Sequence, residues 1–432
     1  MGTSHSDERP ATFREVFAIA EFRAIYAAST LSWFGDYLAR AAITAMVYQI
    51  THSVIASAAA FAISYAPWLL GGSVLVSLAE RYPYRTVMVI CDVMRMVIMA
   101  LVAIPGIPLP GILALLFACA LLAPPFDAAR SATLPAVLTG DRYVVGLAVH
   151  GTTAQPAQVT GYFLGAALAA HEPRTALLIN AATFAISALL VRFGVRRRRP
   201  ALDAAKRSDL LHETVDGFRM VFATPTLRAL AMIVFCGSLF AIVPEGLGAV
   251  WATRVADVSD RGWAQGMIMA AVPLGYLLGA LSVSRLVAPP TRRQLIRPLA
   301  IATPLALVPA LLDPPMVVVA LLSCACGFAI GGLVPVANGL FVQALPTEYR
   351  ARAFGVVQGG LHLLQGAAVL ITGGLAQLYP LPIVVGLWSL GGLVLMYALS
   401  LAWPPAPVRK PVAVTSAARA PAGQPLPGTM ER

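Results

Sequence analysis

Charge is scarce in this chain. Only 12% of its 432 residues are Asp, Glu, Lys or Arg, where a soluble domain carries about a quarter. So few polar side chains cannot cover a water-exposed surface, which excludes an ordinary soluble domain. Lysine is scarcer still: Lys206 and Lys410 are the only two, although the net charge is +11. A cationic excess also suits a nucleic-acid binder. Here, however, the arginines sit in short links between apolar runs, which assigns them to membrane topology and not to nucleic acid. The five cysteines (Cys91, Cys119, Cys236, Cys324 and Cys326) all fall inside apolar runs and make no spaced zinc or redox motif. They read as small buried hydrophobes.

Catalytic signatures are lacking too. There is no His-Glu-x-x-His, no Gly-x-Ser-x-Gly and no phosphate-binding glycine loop ending in Lys. That argues against a membrane-embedded enzyme and against an ATP-driven pump acting alone, and it implies no cofactor and no metal. A non-transporting scaffold is the other rival class. It lacks a reason to hold charges at mid-membrane. The first residues mix acids and bases without an apolar core, so the first hydrophobic helix is expected to stay in place as an anchor.

What the chain has instead is hydrophobic length. Of its residues 58% are hydrophobic, in runs that each approach the roughly 20 residues needed to cross the hydrocarbon core. The runs lie near 23–50, 53–79, 85–105, 109–138, 143–170, 174–194, 226–252, 261–287, 294–312, 315–343, 350–378 and 381–403. Links such as Pro105-Gly106-Ile107-Pro108 and Asp313-Pro314-Pro315 separate them. Outer-membrane strands would alternate in polarity, whereas Ile112–Ala123 does not. The expected fold is all-α: twelve transmembrane helices in two pseudo-symmetric six-helix bundles.

Arginine placement orients these helices. With the N-terminus inside, Arg85, Arg142, Arg192, Arg196–Arg199, Arg292, Arg293, Arg350 and Arg352 all fall on the cytoplasmic side. Little beyond Arg174, Arg254 and Arg261 is left outside. Both termini are then cytoplasmic. Residues 1–22 form a cytoplasmic segment, 23–194 the first bundle, 195–225 a basic linker suited to anionic lipid, 226–403 the second bundle and 404–432 a disordered tail. The halves share weak similarities at a near-constant offset of about half the chain, such as Leu69-Leu70-Gly71 with Leu277-Leu278-Gly279. A repeat of that kind marks a two-bundle transporter.

Several segments together resemble the major facilitator superfamily over about residues 12–400. They are Ser32-Trp33-Phe34-Gly35-Asp36, Tyr48-Gln49-Ile50-Thr51-His52-Ser53, Ala79-Glu80-Arg81-Tyr82-Pro83-Tyr84-Arg85, Asp92-Val93-Met94-Arg95, Pro124-Pro125-Phe126-Asp127-Ala128-Ala129-Arg130, Asp216-Gly217-Phe218-Arg219 and Tyr349-Arg350-Ala351-Arg352-Ala353-Phe354-Gly355. The resemblance is strongest to the branch of enterobactin-type siderophore and macrolide exporters. It implies alternating access and export of a small amphiphilic molecule from the inner (plasma) membrane. It also implies a gate network of Glu80, Arg81, Arg85, Asp92, Arg95, Asp127 and Arg130. The chain departs from the family at Glu80, where Asp is usual, and at Tyr162, where the antiporter signature has Pro. An importer or uniporter remains the alternative within transport.

Ionisable residues at membrane depth cost several kcal/mol, so each demands a reason. Asp36 lies near the middle of the first helix with Arg40 one turn on, on the same face. The two form either an internal salt bridge or a cavity-lining pair that binds substrate or couples to a proton. Glu245, in Pro244-Glu245-Gly246, has no charged neighbour within a turn. It is either a proton site or close enough to the outer surface to be solvated. His150 and His362 titrate near neutral pH, and Gln155, Gln158 and Gln358 share their helices, so these residues with Trp33 and Tyr37 are candidate cavity lining. The central site is expected on helices 1, 4, 7 and 10. The spacings Gly161/Gly165, Gly275/Gly279, Gly327/Gly331 and Gly355/Gly359 allow close helix contact, which in helices five, eight and eleven points to rocking interfaces between bundles. The expected partners are a small-molecule substrate, protons and membrane lipids, with the protein a monomer.

Overall fold

A computed structural model describes residues 11–67, 82–198, 218–345 and 350–401, which are helical with no strand among them. Glu80 and Arg81 lie outside the described residues. The helices of the first half are α1 (Phe13–Ala18), α2 (Ala20–Thr51), α3 (Val54–Ala62), α4 (Tyr84–Val102), α5 (Leu109–Leu121), α6 (Ala123–Val137), α7 (Asp141–His171) and α8 (Pro173–Gly194). Those of the second half are α9 (Pro225–Ala241), α10 (Val243–Val255), α11 (Arg261–Leu286), α12 (Pro289–Gln294), α13 (Ile296–Leu305), α14 (Met316–Ala344), α15 (Arg350–Leu378) and α16 (Leu381–Leu401).

Local chemistry sets the breaks. His52 closes α2 in the left-handed region (φ 51°), and Ser53 then caps α3 by accepting from the Ala56 amide at 3.3 Å. Pro124 and Pro125 lack the amide hydrogens that would continue α5, so α6 restarts there. Pro244 does the same between α9 and α10. Glu245 thereby falls in the first turn of α10, where the helix dipole presents its positive end.

Among the described residues, seven helical stretches are long and apolar enough to cross a membrane. The long helices α2 and α4 carry Asp36, Arg40, Asp92 and Arg95 within them, so their membrane role rests on how those charges are buried. The chain is a multi-pass membrane protein.

Lipid tails are as apolar as leucine, so helices associate in a membrane by close packing of small residues. The α11–α14 contact shows this. Gly275 and Gly279 lie on the α14 backbone at Cys324 and Phe328, and Gly327 and Gly331 lie reciprocally on Val272 and Tyr276. Gly161 and Gly165 of α7 lie on α2 at Phe34 and Leu38. These glycines therefore bind helices within one half. The expectation of rocking interfaces at these positions is corrected, because Gly161, Gly165, Gly275, Gly279, Gly327 and Gly331 each face a helix of their own half. Gly355 faces open space.

Other glycines meet the opposite half. Gly262 of α11 packs on Ala166 and Ala170 of α7, Gly266 on Phe163, and Gly373 of α15 on Ala58 of α3. Hydrogen bonds join the halves in the same region. Gln265 Nε2 donates to the Ala41 carbonyl at 2.7 Å, and the Val54 amide donates to Gln377 Oε1 at 2.8 Å. The two halves thus close on each other at the end bearing His52, Glu172 and Asp260. A cavity of about 110 Å³ remains there, bordered by Tyr48, His52, Thr253 and Arg261.

Candidate functional site

Five helices deliver one polar and aromatic cluster. Glu245, only 6% exposed, is held by two groups of the opposite half. Tyr162 Oη donates to its Oε2 at 2.8 Å and Gln158 Nε2 to the same oxygen at 2.9 Å. One turn of α7 separates these donors, so both reach the same carboxylate. The solvated position foreseen as one alternative for Glu245 does not hold. It is buried and doubly hydrogen-bonded.

Tyr162 leads on to Arg40. Its ring meets that of Tyr37 edge-on at 5.2 Å. The Arg40 guanidinium stands 5.3 Å from the Tyr37 ring, 5.4 Å from Phe61 and 5.4 Å from Tyr65, and donates a long bond to Tyr65 Oη at 3.5 Å. Aromatic faces stabilise a cation through their quadrupole. Among the described residues Arg40 has no carboxylate partner, so the aromatic cage does that work. His362 of α15 reaches the same cage, 5.6 Å from the Tyr65 ring, and its Nδ1 bonds the Gln358 carbonyl at 2.7 Å. The Gln358 side chain is exposed.

The Asp36–Arg40 pair is not formed. Asp36 instead accepts from Arg95 Nη2 of α4 at 2.7 Å, and the Arg95 guanidinium lies 4.2 Å over the Phe184 ring. The i,i+4 spacing put Asp36 and Arg40 on one face, but α4 supplies a closer cation. For the same reason Asp92 and Arg95 do not pair. Fully buried Asp92 accepts from Ser187 Oγ at 2.6 Å. These residues, with Asn180 and Thr183, form a polar core inside the first half, where Gly35 lets α2 approach α8.

A third group lies nearby. Arg130 pairs with Asp127 at 3.1 Å, as its i,i+3 spacing implied, and its guanidinium stands 5.2 Å from the Trp33 ring. Trp33 also contacts the His150 ring at 4.4 Å. Among the described residues the buried Gln155 side-chain oxygen has no partner. Arg85 donates to the Val195 carbonyl at 3.3 Å, tying α4 to the end of α8.

The cluster around Glu245 and Arg40 draws on α2, α3, α7, α10 and α15, that is, on the first, second, fifth, seventh and eleventh expected spans. Phe61 and the Ser187–Asn180 group had no motif to announce them, and Tyr162 stood out only as a departure from the antiporter signature. The available signal was that Tyr162 follows Gln158 by one helical turn.

A multi-pass helical protein that buries charged groups where its two halves meet has the features of a membrane transporter. The chain belongs to the Major Facilitator Superfamily, whose family description residues 25–324 match. It is 28% identical over 161 residues to the "Multidrug efflux pump Tap" of Mycolicibacterium fortuitum. That match covers 37% of this chain and spans about 38% of the length of the pump. The fold is similar to a POT family transporter in complex with 5-aminolevulinic acid (TM-score 0.71, 12% identity, 88% of this chain and 95% of that one). It is similar as well to the nucleoside transporter NupG (TM-score 0.69, 14% identity, 88% of this chain and 99% of that one). A bacterial homolog of the human lysosomal transporter Spinster, in an inward-facing and unoccupied conformation, aligns at a TM-score of 0.63 with 14% identity, over 89% of this chain and 95% of that one.

Proposed function

We propose that this chain is a secondary transporter working by alternating access, which exports a small amphiphilic molecule in exchange for protons. Twelve spans in two bundles, cytoplasmic termini and residence in the inner (plasma) membrane complete this reading. The arginine asymmetry of the links supports that orientation, and the partial match to a multidrug efflux pump supports export.

One observation carries the proposal: Glu245 of the second half is hydrogen-bonded by Tyr162 and Gln158 of the first. A carboxylate bonded across the boundary ties its protonation to the position of the halves. Proton binding neutralises it and weakens its hold on the two donors. The halves are then free to part at the end bearing His52, which in the proposed orientation is the outer one, so the described state faces inward. Arg40, caged but without an acid, would receive an electron-rich face or acceptor of the substrate. Asp36–Arg95 serves as a structural pair beneath it, and Arg85, Asp127 and Arg130, with Glu80 and Arg81, would engage when the inner end closes.

The test is dye-reported proton movement in inverted vesicles on addition of a panel of drugs and siderophores. Wild type, Glu245→Gln and Asp36→Asn are compared. A ligand-dependent signal lost in Glu245→Gln and kept in Asp36→Asn supports the reading. Ligand transport with no proton signal, unchanged in Glu245→Gln, removes proton coupling and leaves facilitated diffusion.

A further inference from the structure

A second cavity, of about 220 Å³, lies wholly within the second half, remote from Glu245. It opens between the C-terminal end of α11 and the C-terminal part of α14, beside the short link that carries Arg292 and Arg293. Its lining combines apolar side chains, among them Val283, Pro335, Val336 and Leu340, with the polar Ser284 and Gln343 and the cations Arg292 and Arg293.

The two arginines are not equivalent. Arg292 donates from Nε to the Val287 carbonyl at 2.9 Å and from Nη2 to the Ser284 carbonyl at 2.7 Å. It thus caps carbonyls at the end of α11 and is fixed in place. Arg293 is half-buried, and among the described residues its side chain makes no hydrogen bond or ion pair. A cation that lines a cavity beside a fixed neighbour, its own side chain unengaged among the described residues, is arranged to meet an anion.

The position selects the kind of anion. α11 and α14 both belong to stretches apolar enough to cross a membrane, and the cavity lies where both end. An occupant there has a headgroup at the level of the link and a chain beside apolar helix faces. Basic pockets between membrane helices suit anionic lipid headgroups. A soluble anion would leave the Val283–Leu340 walls uncovered.

We propose that this cavity binds one anionic phospholipid, with its phosphate on Arg293 and Arg292 and the start of an acyl chain along Val283, Pro335 and Leu340. The lipid braces α11 against α14 and steadies the second half as the bundles move. This inference requires only that the protein sits in a bilayer. It does not depend on the transported molecule or on proton coupling.

Gly339 offers a clean probe. It borders the cavity and a Cβ there meets no other atom, so Gly339→Leu puts an apolar side chain into the cavity without changing charge. Arg293→Gln removes the unengaged charge and leaves the walls intact. The full-length chain is purified in detergent, shown to be monodisperse, and titrated with dioleoyl-phosphatidylglycerol while the thermal midpoint is followed. Dioleoyl-phosphatidylcholine and inorganic phosphate are titrated in parallel. Wild type should gain stability from phosphatidylglycerol alone, with roughly five- to tenfold weaker apparent binding in Arg293→Gln and a comparable loss in Gly339→Leu. Equal protection by phosphatidylcholine or by phosphate overturns the proposal. So does an unchanged phosphatidylglycerol response in either variant that remains monodisperse. If one variant aggregates, the other decides.

Discussion

Tyr162 of α7 and Glu245 of α10 are joined hydroxyl to carboxylate at 2.8 Å across the boundary between the halves. The bond ties two elements that must separate if the transporter alternates. A hydrogen bond to a charged group contributes about 1.5–3 kcal/mol. Tyr162→Phe should therefore lower the thermal midpoint and slow ligand-driven proton movement, with Gln158 retaining part of the contact. Glu245→Gln and the double variant complete a cycle, in which the second substitution should cost less once the first is made. Strictly additive effects would show that the bond does not couple the two residues.

Asp36 and Arg95 predict asymmetric costs. Arg95 has only 6% of its side chain exposed, whereas Asp36 has 29%. Removing the acid strands a buried cation, so Asp36→Leu should destabilise by about 3 kcal/mol or more. Arg95→Met leaves a carboxylate with some access to solvent and should cost less. The double substitution should recover part of the loss. Chemical denaturation in detergent measures all three, and equal costs for the two single variants would contradict the burial argument.

Two glycines on α11 should fail differently. A methyl group at Gly262 collides with Ala170 and the Ala166 carbonyl across the boundary, and one at Gly275 collides with the Cys324 backbone inside the second half. Gly262→Val should leave the thermal midpoint nearly unchanged yet raise maleimide labelling of a cysteine placed at Thr253, which borders the cavity at the closed end. Gly275→Val should lower the midpoint and leave that labelling unaltered in the folded fraction. The opposite pattern would reverse the assignment of the two interfaces.

At the opposite end Arg198 and Arg196 hold Glu21, tying the start of α2 to the segment after α8. Arg198 Nη2 reaches Glu21 Oε2 at 2.9 Å and the Arg196 amide reaches Oε1 at 3.0 Å. Burial alone would raise the Glu21 carboxyl, but these bonds outweigh it and hold it below its ordinary 4.5. A depressed carboxyl stabilises the fold above its unfolded value and loses that contribution as pH falls through the folded value. Glu21→Gln should therefore cost a constant amount from neutral pH down to about 4.5, and progressively nothing below. Midpoints of both proteins across that range test it, and a gap persisting in strong acid would exclude the linkage.

Spacing along one helix predicted some contacts and not others. Asp127–Arg130 forms as an i,i+3 pair. Asp92–Arg95 has the same spacing and does not form, because Arg95 turns to Asp36 and Asp92 to Ser187. Helical periodicity states which side chains share a face. It cannot rank a neighbour on the same helix against one that a second helix brings closer. Glu245 shows the limit plainly, since both donors to it lie more than eighty residues away in sequence.

The bilayer as solvent and the helical runs were decided by the sequence itself. Each follows from quantities summed along the chain: hydropathy over about twenty residues, the position of prolines and the sparsity of charge. The pairing of Asp36 with Arg95, the aromatic cage of Arg40 and the grip on Glu245 were decided by tertiary structure alone. In a membrane those choices depend on which small residues let which helices approach. Gly35, Gly161 and Gly165 bring α2, α7 and α8 together, and the buried charges then take the partners left within reach.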